Sequence, residues 1–436
     1  MSTILIKNGR VIDPSRDLDE TCDVYISKGV IRQLGKNIKR KASLEIDAAG
    51  KIVCPGLIDM HTHLREPGRE DEETIYTGTR SAAAGGFTTV CSMPNTRPVT
   101  DSRTNIRYIL SRVLELGVVN VHPVAAITVG QKGEEITEFG DLVDAGAIAF
   151  SDDGYPVMNA EIMRRALQYT AMFDVPILDH CEDIDLSNVG VMHEGFVQSL
   201  LGLPGITSAA ETTQVARDIE LLEFYGGRLH ICHTSAVGSI HLIRRAKKRG
   251  LDITCEATPH HLTLTDSRVK ETSFDTNTKV KPPLRSEEDR QELLLGLQDG
   301  AIDVIATDHA PHTTKDKDKV YLDAPFGLIG METAVPVILT DIVHKGIITV
   351  NRMIEMMTVN PARILRIDRG TLETGAVADV TVIDPKKRHT IRANRFYSLS
   401  RNTPFEGKRC KGAVAATIVG GKLVFSEGKI IEDREE

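Results

Sequence analysis

The chain has 436 residues, 41% hydrophobic and 26% charged, with a formal net charge of −8. That length suits one large domain plus a smaller one, with a composition ordinary for a globular protein. No long basic run occurs, which argues against nucleic acid as a partner. A small anionic ligand stays compatible, because local charge differs from net charge. No window reaches the apolar length of a membrane span. The N-terminus lacks the basic start and apolar core of a signal peptide, so a cytoplasmic protein without membrane association is expected. Seven cysteines are scattered without a CxxC pair, the pattern of buried free thiols in a reducing compartment.

About the first fifty residues read as short strands with tight turns. ILIKNGRVI, CDVYISKGVIRQLG and SLEIDAAGKIV carry Asn-Gly, Lys-Gly and Ala-Gly punctuation. The middle of the chain changes character. GLIDMHTH, FTTVCSMPNT, VNVHPVAAIT, AIAFSDDG, VPILDHCE, LHICHTS, LDITCEATPHH and IDVIATDHAPH are short apolar runs. Between them lie stretches such as NAEIMRRALQYTAMF and VGSIHLIRRAKKRG, with apolar residues at helical spacing. Eight strands alternating with helices predict an α/β protein built on a (β/α)8 TIM barrel. A doubly wound sheet would use similar units, but no Gly-x-Gly-x-x-Gly follows the first run and no phosphate loop occurs. The end of the chain, TLETGAVADVTVID and GAVAATIVGGKLVFSEGKII, is β-rich again.

Catalytic groups of a barrel sit at the C-terminal strand ends. Five of the eight runs end in a candidate metal ligand: His61 and His63, Asp153, His180, His233, and Asp308. Strand side chains alternate faces, which places His61 and His63 together on the interior with Leu57 and Asp59. Ile58, Met60 and Leu64 are then expected outside, under the helices, and Cys232 likewise faces the helices and does not ligate. A buried imidazole is costly unless bonded or metal-bound. Imidazole and carboxylate donors without thiolate suit zinc, and also manganese or cobalt. Six donors exceed what one tetrahedral zinc with an open position takes and suit two metals. Two cations acidify water and polarise a carbonyl, so hydrolysis of an amide-like bond is the expected chemistry.

PGLIDMHTHLREPG (55–68) and ATDHAPHTTKDK (306–317) resemble the two signatures of dihydroorotases. The resemblance covers nearly the whole chain and is closest to the longer, bacterial class I type of the amidohydrolase superfamily. It implies a barrel over 55–369 and a small β-sandwich domain formed by 1–54 and 370–436. It also implies two zinc ions and the reversible interconversion of N-carbamoyl-L-aspartate and (S)-dihydroorotate in pyrimidine synthesis. Carried over, His61, His63 and Asp308 bind one metal, His180 and His233 the other, and Asp153 bridges them. Relatives elsewhere in the superfamily use a carboxylated lysine for the bridge. Asp152 competes with Asp153, since adjacent residues cannot both point into the site.

Asp308 resembles the catalytic acid/base. Arg65, two residues beyond His63, offers a bidentate partner for a substrate carboxylate. Asn95 and His312 resemble further carboxylate contacts, and Phe326 and Gly327 resemble main-chain contacts to the ring. Lys281 stands where many relatives have Asn before Pro-Pro-Leu-Arg. A contact made there through the backbone would survive the change, and one through the Asn side chain would not. His260 and His261 are read as structural or supporting residues. The run Thr313–Lys319 is read as a mobile polar loop with solvated charges over the barrel mouth. The alternatives are a dihydropyrimidinase, hydantoinase or allantoinase, and a non-catalytic partner of aspartate transcarbamoylase. A homodimer and an active association with that enzyme stay open.

Overall fold

The computed structural model describes residues 3–431. Each of the eight apolar runs forms a strand of one parallel sheet: Leu57–Thr62, Phe87–Ser92, Asn120–Ala125, Ala149–Phe150, Ile177–Asp179, Leu229–Ile231, Ile253–Ala257 and Val304–Ile305. Neighbours in sequence are neighbours in the sheet. Helices follow where the periodicity predicts them. Ala160–Ala171 and Val237–Lys248 fall in the two stretches quoted, and a further helix, Glu287–Asp299, starts on a capping box between Ser286 and Asp289 and stops at Gly300, whose φ of 82° is open to glycine at little cost.

The last strand returns to the first through few backbone bonds. Thr62 and His309 form a parallel bridge, and the His63 N–H donates to the His309 carbonyl at 2.8 Å. Below them the Asp59 carboxylate accepts from the Thr307 N–H at 3.1 Å and from its hydroxyl at 2.6 Å. A side chain thus substitutes for ladder bonds at the closure, and the barrel forms as expected.

Two apolar layers follow from the strand alternation. Leu57, Val90, Phe150, Ile177, Ile231 and Cys255 pack with helix residues such as Ala82, Met163 and Ile240. Ile58, Met60, Cys91, Val124, Leu178, Cys232 and Val304 form a separate cluster inside the barrel, floored by Ala362, Ile364 and Leu365. This corrects the facing expected for the first strand: Ile58, Met60 and Cys232 are interior, and Leu57 is under the helices. Strict alternation fails because the pairing with the second strand is irregular at Leu57/Ile58 and between Asp59 and Thr62. The second irregularity resets the alternation, so Met60 is interior and His61, one residue on, still reaches the site.

The two ends of the chain meet in one sheet of nine strands among the described residues. Val380–Thr390 pairs antiparallel with Ile52–Pro55, which pairs parallel with Thr3–Asp13. Its buried cluster includes Ile4, Ile6, Val24, Val53, Val382 and Ile418. Residues 1–2 and 432–436, the outermost parts of the expected β domain, lie outside the described residues. Gly56 joins this sheet to the first barrel strand. A Cβ there would fall 2.1 Å from the Thr88 hydroxyl, so the close approach requires glycine. The sheet therefore anchors the strand that carries His61.

Asp59→Ala would leave two buried donors of Thr307 unpaired, at a cost of about 3 kcal/mol. A clearly lowered denaturant midpoint is expected; a midpoint equal to the parent's would show that Asp59 does not hold the closure.

Candidate active site

The carboxylate of Asp153 lies at the centre of the barrel mouth. Its Oδ1 is 3.2 Å from His61 Nε2, 3.5 Å from His180 Nδ1 and 3.6 Å from His233 Nε2, and its Oδ2 is 3.4 Å from His63 Nε2. Asp308 Oδ1 lies 3.2 Å from His63 Nε2 and 3.5 Å from His61 Nε2. All six side chains are buried. Asp152 turns away and accepts from the Ile127 and Thr128 N–H groups and the Thr128 hydroxyl. Between the two adjacent candidates, Asp153 is the one in the cluster.

His61 Nε2, Asp153 Oδ1 and His233 Nδ1 are buried without a hydrogen-bond partner. The donor atoms of His61, His63 and Asp308, and of His61, Asp153 and His233, each lie within 4.8 Å of one another. Unpaired buried donors and acceptors are costly. A divalent metal bound by imidazole and carboxylate removes that cost, so the donor set fits one.

The remaining ring nitrogens decide which atoms are free to ligate. His61 Nδ1 donates to Glu256 Oε1 at 2.7 Å, His63 Nδ1 to Asn95 Oδ1 at 2.8 Å, and His180 Nε2 to Glu182 Oε2 at 3.1 Å. Each acceptor fixes the proton on the outer nitrogen and turns the inner one toward the cluster, where His63 Nε2 lies 3.2 Å from Asp308 Oδ1 and His180 Nδ1 lies 2.9 Å from His233 Nε2. Glu256 also accepts from the His233 N–H at 3.1 Å and faces His230 Nε2 at 3.1 Å. Sequence reasoning missed Glu256 and Glu182. Their only signals were an acid on the interior face of the seventh strand and another two residues past His180. Asn95, expected at the substrate carboxylate, spends its oxygen on His63. Its amide nitrogen lies 3.5 Å from the Asp153 carbonyl.

Electrostatics follow from this packing. Burial opposes ionisation of Asp308, but positive charge beside it, which His61, His63 and His233 supply when protonated, holds its carboxyl below the usual range. Arg65, His233 and Asp308 have φ of 60°, 30° and 47°. Left-handed backbone costs a non-glycine residue about 1–3 kcal/mol, and here it aims site side chains into the mouth.

A cavity of about 370 Å³ opens above the cluster, bordered by Arg65, Asn95, Lys281, His312, Phe326 and Gly327 as well as His63 and Asp308. All seven expected substrate contacts thus surround one space. Glu72 organises the rim: it pairs with Arg65 Nε at 3.0 Å, Arg69 at 2.9 Å and His312 Nδ1 at 2.8 Å. His312 Nε2 reaches the Phe326 carbonyl at 2.7 Å, and the Gly327 N–H donates to the Lys279 carbonyl at 2.9 Å. His261 sits between the Thr258 hydroxyl at 2.8 Å and the Pro282 carbonyl at 3.0 Å, a structural placement.

The run Thr313–Lys319 departs from its expected solvated state. Thr314–Lys317 is a short helix capped by Thr313, and Asp316 pairs with Arg69 at 3.2 Å. Lys317 is buried and donates to the Pro325 and Gly327 carbonyls, both at 2.9 Å. Burial, reinforced by nearby Lys279, brings its pKa down to about 7.

Residues 50–239 match a family model described as dihydro-orotase-like, and 206–425 match the amidohydrolase family. The chain is 54% identical over 424 residues to the dihydroorotase of Pelotomaculum thermopropionicum, covering 97% of this chain and 99% of that one. It is 50% identical over 423 residues to the dihydroorotase of Geobacter metallireducens, with the same coverage. The chain belongs to the dihydroorotase family. It is accordingly a cyclic amide hydrolase of the amidohydrolase type. Among solved structures, an L-hydantoinase from Arthrobacter aurescens superposes with a TM-score of 0.88 at 26% identity, covering 99% of this chain and 98% of that one. A D-hydantoinase at 22% identity and TM-score 0.86, covering 98% and 96%, shares the fold. Dihydroorotase-family and hydantoinase chains thus share one barrel, and the residues lining the cavity must separate them.

Lys317 gives a pH prediction. Its pKa falls from 10.5 to about 7 on folding, so the unfolded chain binds its proton more tightly between those values. Its contribution to stability therefore rises with pH across that window. The denaturation midpoint of the parent should gain on that of Lys317→Met between about pH 7 and pH 9.5. Parallel midpoints would mean that Lys317 is not held in that buried state.

Proposed function

We propose that this protein catalyses the reversible interconversion of N-carbamoyl-L-aspartate and (S)-dihydroorotate, the third step of de novo pyrimidine synthesis, in the cytoplasm. Two zinc ions are the proposed cofactors, with manganese or cobalt as substitutes. The observation that carries this reading is that Arg65, Asn95 and His312 border the same cavity as Asp308 and the histidine cluster. A hydantoin ring has no carboxylate to need such a rim. Identity to dihydroorotases is also about twice that to the hydantoinases. All six donors come from one chain, which supports activity without a partner's residues and argues against a purely supporting role.

His61, His63 and Asp308 would hold one ion, His180 and His233 the other, and Asp153 would lie between them. When bound, two divalent cations lower the pKa of water and stabilise charge on a carbonyl oxygen. The protein does the rest. Arg65 keeps its Nε edge on Glu72 and the Pro311 carbonyl at 3.2 Å, and turns its terminal nitrogens to the substrate carboxylate. That fixes the ring with its amide over Asp308. As water adds to the ring carbonyl, Asp308 takes its proton. The C–N bond then breaks, and Asp308 returns the proton to the leaving nitrogen. Ring closure runs the same transfers backwards and releases water.

Asp308→Asn keeps the shape but removes the base. Turnover of dihydroorotate should fall by roughly 10³-fold while the thermal transition persists. Near-parental turnover would remove Asp308 from that role. Arg65→Ala should raise KM about 10–100-fold with a smaller change in kcat. An unchanged KM, or faster turnover of hydantoin than of dihydroorotate by the parent, would contradict the carboxylate rim.

A further inference from the structure

Lys281 occupies a contact that the proposed reaction does not use. Its Nζ lies 2.9 Å from Glu182 Oε1, while the other oxygen, Oε2, is the one that takes the His180 Nε2 proton at 3.1 Å. The opposite nitrogen of His180, Nδ1, faces Asp153 Oδ1 at 3.5 Å. The same ammonium sits 5.2 Å from the centre of the Phe326 ring, within reach of a cation–π contact. Glu182 is only 7% exposed and Lys281 29% exposed at the cavity edge. One side chain therefore touches both the carboxylate that orients His180 and the loop whose carbonyl holds His312.

We propose that Lys281 is a positioning residue that restrains Glu182 through an ion pair on the oxygen His180 does not use, holds His180 in its ligating orientation, and ties that end of the metal cluster to the Phe326 loop. This rests on the binuclear reading above. A carboxylate anchored at one oxygen only can rotate about its last side-chain bond. Ligand orientation depends on such outer partners, whose loss typically weakens metal binding 10–100-fold. The relation to Phe326 adds a second consequence: freeing the ammonium also loosens the substrate side of the mouth. An Asn at this position would be shorter and uncharged and could not set a cation against Glu182.

The experiment uses the full-length, metal-loaded protein. Release of metal to a chromogenic chelator is followed in the parent, Lys281→Met, Lys281→Arg and Glu182→Gln, with kcat and KM for dihydroorotate measured on the same samples. Lys281→Met should lose one metal equivalent about tenfold faster than the parent and raise KM. Lys281→Arg should restore slow release. Glu182→Gln should also release metal faster, and combining it with Lys281→Met should add little, because both remove one interaction. Parental release by Lys281→Met with a raised KM would mean direct substrate contact alone and would overturn the proposal. So would parental values of both. A parent that turns over dihydroorotate and holds two metals leaves the functional reading standing in either case. A parent that holds no metal overturns both.

Discussion

Six ionisable side chains buried at one end of a barrel, with Asp153 ringed by four imidazoles, form the constraint that the surrounding structure serves. Removing two carboxylates and four imidazoles from water is costly unless charge and lone pairs are matched. The protein matches the outer half itself, with Glu256, Asn95 and Glu182 accepting the outer ring protons. The inner half keeps His61 Nε2 and Asp153 Oδ1 without a hydrogen-bond partner. Divalent metal completes the balance, and the same charge then becomes useful for hydrolysis.

The scaffold places these groups without a dedicated loop. Strand ends point them at one axis, and irregular or left-handed backbone at Asp59–Thr62, His233 and Asp308 makes the final adjustment. The composite sheet of the two chain ends fastens the first strand through Gly56, and Asp59 closes the barrel against Thr307. Stability at these points is thus coupled to the geometry of the site. The rim of the cavity has a different support: Glu72 collects Arg65, Arg69 and His312, and buried Lys317 fastens the Pro325–Gly327 backbone.

Much of this was legible in the sequence. The eight strands announce themselves as short apolar runs, and the donors His61, His63, Asp153, His180, His233 and Asp308 all stand at or just beyond their ends. What failed did so for local reasons. The facing of Ile58 and Met60 follows register irregularities that leave no mark in a six-residue strand. Glu256 and Glu182 look like ordinary acids until the fold sets them behind histidines. Lys317 sits in a run that reads TTKDKDK, and its burial depends on carbonyls eight and ten residues away. Asn95 borders the cavity, but its bond to His63 spans 32 positions and has no local signal.

The most direct test of the central claim is metal stoichiometry of the purified protein, measured in parallel with dihydroorotate ring opening as metal is stripped and restored. Two equivalents per chain, with activity falling as they leave and returning on re-addition, is the predicted result. Full turnover by metal-free protein, or full activity that saturates at one equivalent, would contradict a binuclear centre built around Asp153.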